Sequence, residues 1–200
     1  LLLATTARAQ SPWTPPVGIP SPSFGIVEQA GPFTHYVDNT HPNATDSGNP
    51  NGSPSLPRRT VPEDLAAGSV VEVRGGPYVI SQVTWTSNGT QAAPVFVKGI
   101  GSPFFVGIPP VSSADELKIA GSHMVVEGVV FDGAKVRTLA TTRVSFRFNE
   151  VRNYTPGSNS SAVDLGGTEN VVYGNHIHHN GDVTSPIELD IHGVKMGAGD

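Results

Sequence analysis

Cysteine is absent from the 200 residues, so no disulfide staples this chain and no thiolate serves it as nucleophile or metal ligand. Core burial and hydrogen bonding alone must hold any exported form. Charge is scarce as well. Asp, Glu, Lys and Arg make up 14% of the chain, too little to clothe the solvent faces of many amphipathic helices. A formal net charge of −5 removes long-range attraction for nucleic acid, so an acidic polymer would bind only at a local basic patch or through a bridging cation. Beyond the opening residues no apolar run approaches the roughly 20 residues of a spanning helix. Amphipathic helical patterns are missing between the strand-like runs, which removes an alternating βα architecture.

Turn chemistry is what the chain has in excess, with 23 glycines and 18 prolines. The opening run Leu1-Leu2-Leu3-Ala4, followed by Ala7-Arg8-Ala9, reads as the end of a signal-peptide apolar region and an A-x-A-like cleavage site. Residues 1–9 are therefore expected to be a signal-peptide remnant, and the mature product to be secreted, extracellular or periplasmic. Residues 10–33 form a Pro-rich leader, because that Pro density forbids both helix and central strand. Residues 34–200 are assigned to one domain, incomplete at its C-terminal side. Thr60-Val61-Pro62-Glu63 has capping-box spacing with Pro in the first turn, and Gly68 follows Leu65-Ala66-Ala67 as a stop. This predicts one short capping helix.

After Gly68 the chain repeats itself. Residues 117–128, from Leu117-Lys118-Ile119 to Val125-Val126-Glu127-Gly128, align with residues 163–174, from Val163-Asp164-Leu165 to Val171-Val172-Tyr173-Gly174, at a constant offset of 163 − 117 = 46. An intermediate copy places Val151 between Phe131 and Ile177, at steps of 151 − 131 = 20 and 177 − 151 = 26. A fourth copy, Glu188-Leu189-Asp190-Ile191-His192-Gly193, repeats Ala162-Val163-Asp164-Leu165-Gly166-Gly167 at an offset of 188 − 162 = 26. Repeats of this length stack as a solenoid, each coil covering the apolar face of its neighbour. Leucine-rich repeats are the rival, but their Leu-x-x-Leu-x-Leu spacing is missing. Within each coil apolar and polar residues alternate, which predicts inward and outward faces. Phe131, Val151 and Ile177, together with Val125 and Val171, are expected inside. Asn149 and Asn175 occupy equivalent turn positions, suited to an asparagine ladder.

Tyr36-Val37-Asp38-Asn39, Asp46-Ser47-Gly48-Asn49, Pro57-Arg58-Arg59-Thr60 and the run from Gly68 to Tyr78 resemble the N-terminal cap and first coil of right-handed parallel β-helix proteins of the pectate-lyase-like superfamily. Val125 to Gly133 and Asn175 to Asn180 are similar to its coil motifs. The resemblance spans about residues 34–200 and implies an all-β fold, a right-handed parallel β-helix solenoid with a short N-terminal capping helix. Polysaccharide lyases, polygalacturonase-type hydrolases, esterases, epimerases and noncatalytic adhesins share that fold, so it names no single activity.

Stacking at about 4.8 Å per coil is expected to build an outward column of Lys118, Thr138, Asp164 and Asp190, with Glu188 and His192 beside it. Carboxylates so close repel unless a proton or cation lies between them. Asp164, Glu188 and Asp190 are therefore candidate ligands for Ca²⁺, which takes six to eight oxygens. In the lyases that the resemblance implies, Ca²⁺ neutralises a uronate and a basic side chain removes the C5 proton. Lys195 and His192 are the candidate catalytic residues here. Polygalacturonase-type hydrolysis fits less well: Ile191-His192-Gly193 only partly matches the Gly-His-Gly segment, and the paired Asp-Asp is missing. His176, His178 and His179 invite a zinc reading, but no third and fourth ligand stands at a recognisable spacing, so they read as turn and surface residues. No Gly-x-Ser-x-Gly elbow marks a serine nucleophile. The expected partner is a polysaccharide or cell-wall glycan bound by a monomer, with no nucleic acid and no membrane span. The rival class is a noncatalytic glycan-binding or structural β-helix.

Overall fold

The computed structural model describes residues 33–182, 184 and 191–197. The expected signal remnant, the leader apart from Phe33, and Glu188 and Asp190 lie outside the described residues. The described part is all-β, and none of its helices is long and apolar enough to cross a membrane, because it contains no helix.

Strand β1 (His35–Asp38) precedes a repeating triplet. The first coil carries β2 (Val70–Arg74), β3 (Tyr78–Val79) and β4 (Val83–Trp85), and the second β5 (Val95–Gly99), β6 (Phe104–Val106) and β7 (Glu116–Ile119). The third has β8 (Met124–Glu127), β9 (Val130–Asp132) and β10 (Lys135–Thr142), and the fourth β11 (Ser145–Arg147), β12 (Glu150–Arg152) and β13 (Ser160–Thr168). The last described coil holds β14 (Val171–Tyr173), β15 (His176–His178) and β16 (Ile191–Met196). First strands of successive coils pair with one another, as do second and third strands, so three parallel sheets run along the stack. That arrangement is consistent with a parallel β-helix solenoid.

The corners follow a local rule. Single residues in the left-handed backbone region recur at His123, Arg143 and Glu169, at Gly128, Phe148 and Gly174, and at Gly133, Asn153 and His179. Each set advances by 20 and then 26 residues, so the same corner is turned in each coil. In the last described coil an asparagine follows every corner residue. Asn170, Asn175 and Asn180 accept hydrogen bonds from the backbone N–H of Val144 (2.8 Å), Asn149 (2.8 Å) and Tyr154 (3.0 Å) one coil below. Asn149 does the same for Val129 at 3.0 Å while donating to the Val126 carbonyl. The expected ladder at Asn149 and Asn175 is present, and it satisfies turn backbone that strand pairing cannot reach.

The core runs inside the three sheets. Val71, Val97, Val126, Phe146 and Val172 form one inward ladder. Tyr78, Phe105, Phe131, Val151 and Ile177 form a second, with Tyr78 and Phe105 stacked at 4.8 Å and Phe105 and Phe131 at 5.6 Å. Burying each large side chain in such a ladder contributes about 1.5–3 kcal/mol.

Two expectations are corrected. Val125 and Val171 do not point inward: they share a column with Val70, Phe96 and Ser145 on the other face of the first sheet. There Val70, Phe96 and Val125 make a separate buried cluster against Phe33. A pair of adjacent valines cannot both face the core, and Val126 and Val172 took those places. The capping helix over 60–67 is likewise not formed. The Leu65 N–H donates to Ser87 Oγ (2.9 Å) and the Glu63 carbonyl accepts the Thr86 N–H (2.7 Å), so the segment bonds to the chain of the coil above it. Val61 and Leu65 sink into the core.

Candidate functional site

The third sheet carries a column of charged residues on its outer face. Alternation along its strands sends Val83, Leu117, Val136, Val163 and Val194 to one face and Thr84, Lys118, Arg137, Asp164 and Lys195 to the other, each set in Cα register from coil to coil. Glu116 and Lys135 are paired in register beside this outer column. Lys118 Nζ lies 3.0 Å from Glu116 Oε1, Arg137 4.0 Å from Glu116 Oε2, and Lys135 Nζ 3.2 Å from Asp164 Oδ2. Lys195 and His192 are exposed on the same strand. Four basic side chains therefore stand around two described carboxylates.

Two depressions meet on this face. One, of about 300 Å³, is bounded by Lys135, Asn159, Ser160, Asp164, His192 and Lys195. The other, of about 510 Å³, continues past Asp164 and Lys195 to Arg137 and the 139–142 backbone. Chain length explains both walls. Strands β9 and β10 are joined by residues 133–134, whereas β12 and β13 are joined by 153–159, and the longer connection brings Asn159 and Ser160 to the rim. In β10 the register shifts between Thr138 and Thr141. Ala140 there has φ of 46°, the geometry of a bulge that bends the strand and opens the wider depression. Beneath the rim the fully buried Tyr154 shares a hydrogen bond of 3.0 Å with Ser160 Oγ. Burial, and then the carboxylates Glu116, Asp115 and Asp164, outweigh that bond and raise the phenol above its ordinary value, so it stays neutral.

The site residues expected from sequence are placed unevenly. Asp164, His192 and Lys195 do come together, while Glu188 and Asp190 fall outside the described residues. The expected column of Lys118, Thr138, Asp164 and Asp190 is corrected: Arg137, not Thr138, stands between Lys118 and Asp164, and Lys195 follows Asp164. The steps are 19, 27 and 31 residues rather than 20, 26 and 26. The β10 bulge adds one residue to that strand, and the segment before β16 is longer than the one before β13. Thr138 faces inward at 3% exposure, donating to and accepting from the Gly166 backbone at 2.7 and 2.8 Å. Sequence reasoning missed Lys135 and Arg137 as site residues. Their two-residue spacing on a strand was the available signal.

Of the three expected Ca²⁺ ligands only Asp164 is among the described residues. Asp164 has Lys135 on one of its oxygens and Arg137 and Lys195 as column neighbours, and a calcium ion takes six to eight oxygens. The same surroundings favour an anionic ligand. His176 and His178 lie apart from this face, on the outer side of the second sheet. No protein-family model, curated protein or solved structure matches the chain.

Proposed function

We propose that this chain is a secreted β-helix protein of the pectate-lyase-like kind that binds an acidic polysaccharide along the outer face of its third sheet and cleaves it by β-elimination. The observation that carries this reading is the series Lys118, Lys135, Arg137 and Lys195, set along the stacking axis beside two adjoining depressions. A chain of uronates laid along that axis meets basic side chains on the second, third and fifth coils, with Asp164 of the fourth between Arg137 and Lys195, and hydroxyl and amide groups of Asn159 and Ser160 line the rim for sugar contacts. Export, read from Ala7-Arg8-Ala9, belongs to the same proposal.

For elimination the uronate carboxylate pairs with Arg137 and Lys135, which acidifies C5. The Lys195 amine acts as the base that takes the C5 proton. The C5–H electrons form the C4–C5 double bond, the C4–O bond breaks, and His192, as general acid, delivers a proton to the leaving oxygen. The carboxylate neutralisation assigned to Ca²⁺ in the lyases of the resemblance is here supplied by side chains.

The test uses the purified chain with polygalacturonate and with a neutral glucan. Binding should be selective for the acidic polymer and weaken with added salt. Arg137→Ala and Lys135→Ala should each lower affinity by about twofold to fivefold, the size of partly exposed ion pairs. Lys195→Ala should remove the ultraviolet absorbance of unsaturated product while lowering affinity no more than Arg137→Ala does. Equal, salt-insensitive binding of the neutral glucan would overturn the reading. Noncatalytic glycan binding is favoured by one observation, that Lys135, Lys118 and Arg137 already pair with Asp164 and Glu116; its signature is selective binding without product.

A further inference from the structure

The second sheet ends in a different constellation. Strand β15 presents His176 and His178 two residues apart, hence on one face, and their rings stack with centroids 4.0 Å apart. Coil register sets Glu150 directly beneath His176 and Arg152 beneath His178. Glu150 Oε1 lies 3.1 Å from His178 Nε2. One donor atom from each of Glu150, His176 and His178 lies within 4.8 Å of the other two. Donors bound tetrahedrally to one zinc ion at their usual bond lengths stand about 3.4 Å apart. Modest side-chain rotation closes the difference, and His176 is exposed and free to make it.

We propose that Glu150, His176 and His178 bind a divalent transition-metal ion of zinc-like chemistry on the outer face of the second sheet, with solvent completing the coordination. Two imidazoles and one carboxylate suit Zn²⁺, Cu²⁺ or Ni²⁺, and not Ca²⁺ or Mg²⁺, which require oxygen ligands. The residues around the triad hold it in place. His178 Nδ1 contacts His179 Nδ1, leaving Nε2 directed at Glu150. Arg152 donates to Glu150 Oε1 at 2.8 Å and to Asp132 Oδ2 at 3.0 Å, and Asn153 donates to Asp132 Oδ1 at 2.8 Å. Arg152 is a cation beside the site, but Asp132 balances it, and the carboxylate has lone pairs on two oxygens to serve both Arg152 and a metal. Such outer contacts orient metal ligands. The ion would clip β12 to β15, the last two described strands of the sheet. This site is separate from the proposed glycan face and independent of that reading.

The experiment uses the untagged 200-residue chain stripped with chelator, then titrated calorimetrically with ZnCl₂, NiCl₂ and CaCl₂. One Zn²⁺ per chain should bind and raise the thermal midpoint, and CaCl₂ should not compete for it. His176→Ala, His178→Ala and the isosteric Glu150→Gln should each weaken Zn²⁺ binding about tenfold or more and abolish the thermal shift, with the melting of the metal-free variants showing that each still folds. His41→Ala and His192→Ala should retain the parent affinity. Zn²⁺ binding that survives His176→Ala and His178→Ala, or no Zn²⁺ uptake at millimolar metal, overturns the proposal.

Discussion

Asn149→Ala probes the device that joins one coil to the next. The Asn149 side chain is 3% exposed. It accepts the Val129 N–H at 3.0 Å and donates to the Val126 carbonyl at 3.0 Å. Truncation leaves both backbone groups buried without the side chain that paired them, and a buried donor or acceptor stripped of its partner costs about 1–3 kcal/mol. Allowing for some relaxation, the expected loss is about 2–4 kcal/mol. Asn175→Ala is the internal comparison. It removes the same kind of contact, to the Asn149 N–H and the Phe146 carbonyl, but at a half-buried position in the last described coil, where water can replace the amide, so about 0.5–1.5 kcal/mol is expected. Asn149→Asp keeps the acceptor for Val129 and turns the other oxygen against the Val126 carbonyl. Burial raises that carboxyl's folded-state value above its unfolded one, so this variant should lose stability as pH rises from about 4 and regain it on acidification. Urea unfolding followed by far-ultraviolet circular dichroism, at pH 7 and pH 4, measures all three. A cost below about 1 kcal/mol for Asn149→Ala, or equal costs for Asn149→Ala and Asn175→Ala, would refute the ladder as a source of coil-to-coil stability.

Further outcomes follow from packing and ionisation. Gly121→Ala would place a Cβ 1.7 Å from the Ser87 carbonyl oxygen; backbone cannot step aside cheaply, so a loss of about 3 kcal/mol or more is expected in the same urea assay. Tyr78, whose hydroxyl donates to the Arg74 carbonyl and accepts the Asn39 N–H, is pushed by burial up to about 12. Because the unfolded chain releases this proton near pH 10 and the folded chain does not, stability should fall as pH rises from about 10 to about 12. Phenolate absorbance that shows Tyr78 ionising at pH 10 in folded protein, judged against Tyr78→Phe, would contradict this.

The repeat offset of 46 and the steps of 20 and 26 were legible because stacking obliges like residues to recur. Phe131, Val151 and Ile177 do form one ladder, and Asn149 and Asn175 do stack. Alternation also placed Asp164 outward and Val163 and Leu165 inward. These are local consequences of strand periodicity, present in the order of residues before any coil closes.

Register beyond that was decided in three dimensions. An offset carries a residue to its neighbour only where connections keep their length, and the β10 bulge and the longer segment before β16 broke that condition. They substituted Arg137 for Thr138 and Lys195 for residue 190, and so turned an expected acidic column into one dominated by cations. The choice of Val126 over Val125 for the core rested on which of two adjacent valines met the inward ladder, and hydrophobicity cannot separate them. The 60–67 segment carries helix signals, yet its backbone is claimed by Thr86 and Ser87 of the first coil's exit. Glu150 and His178 are 28 residues apart in the chain and 3.1 Å apart in space, a meeting made by inter-coil hydrogen bonding. Sequence by itself determined that this chain would wind into stacked coils, because periodicity is a local property. Which charged side chains would face one another across those coils was decided only by the tertiary structure, because it depends on the length of every connection between them.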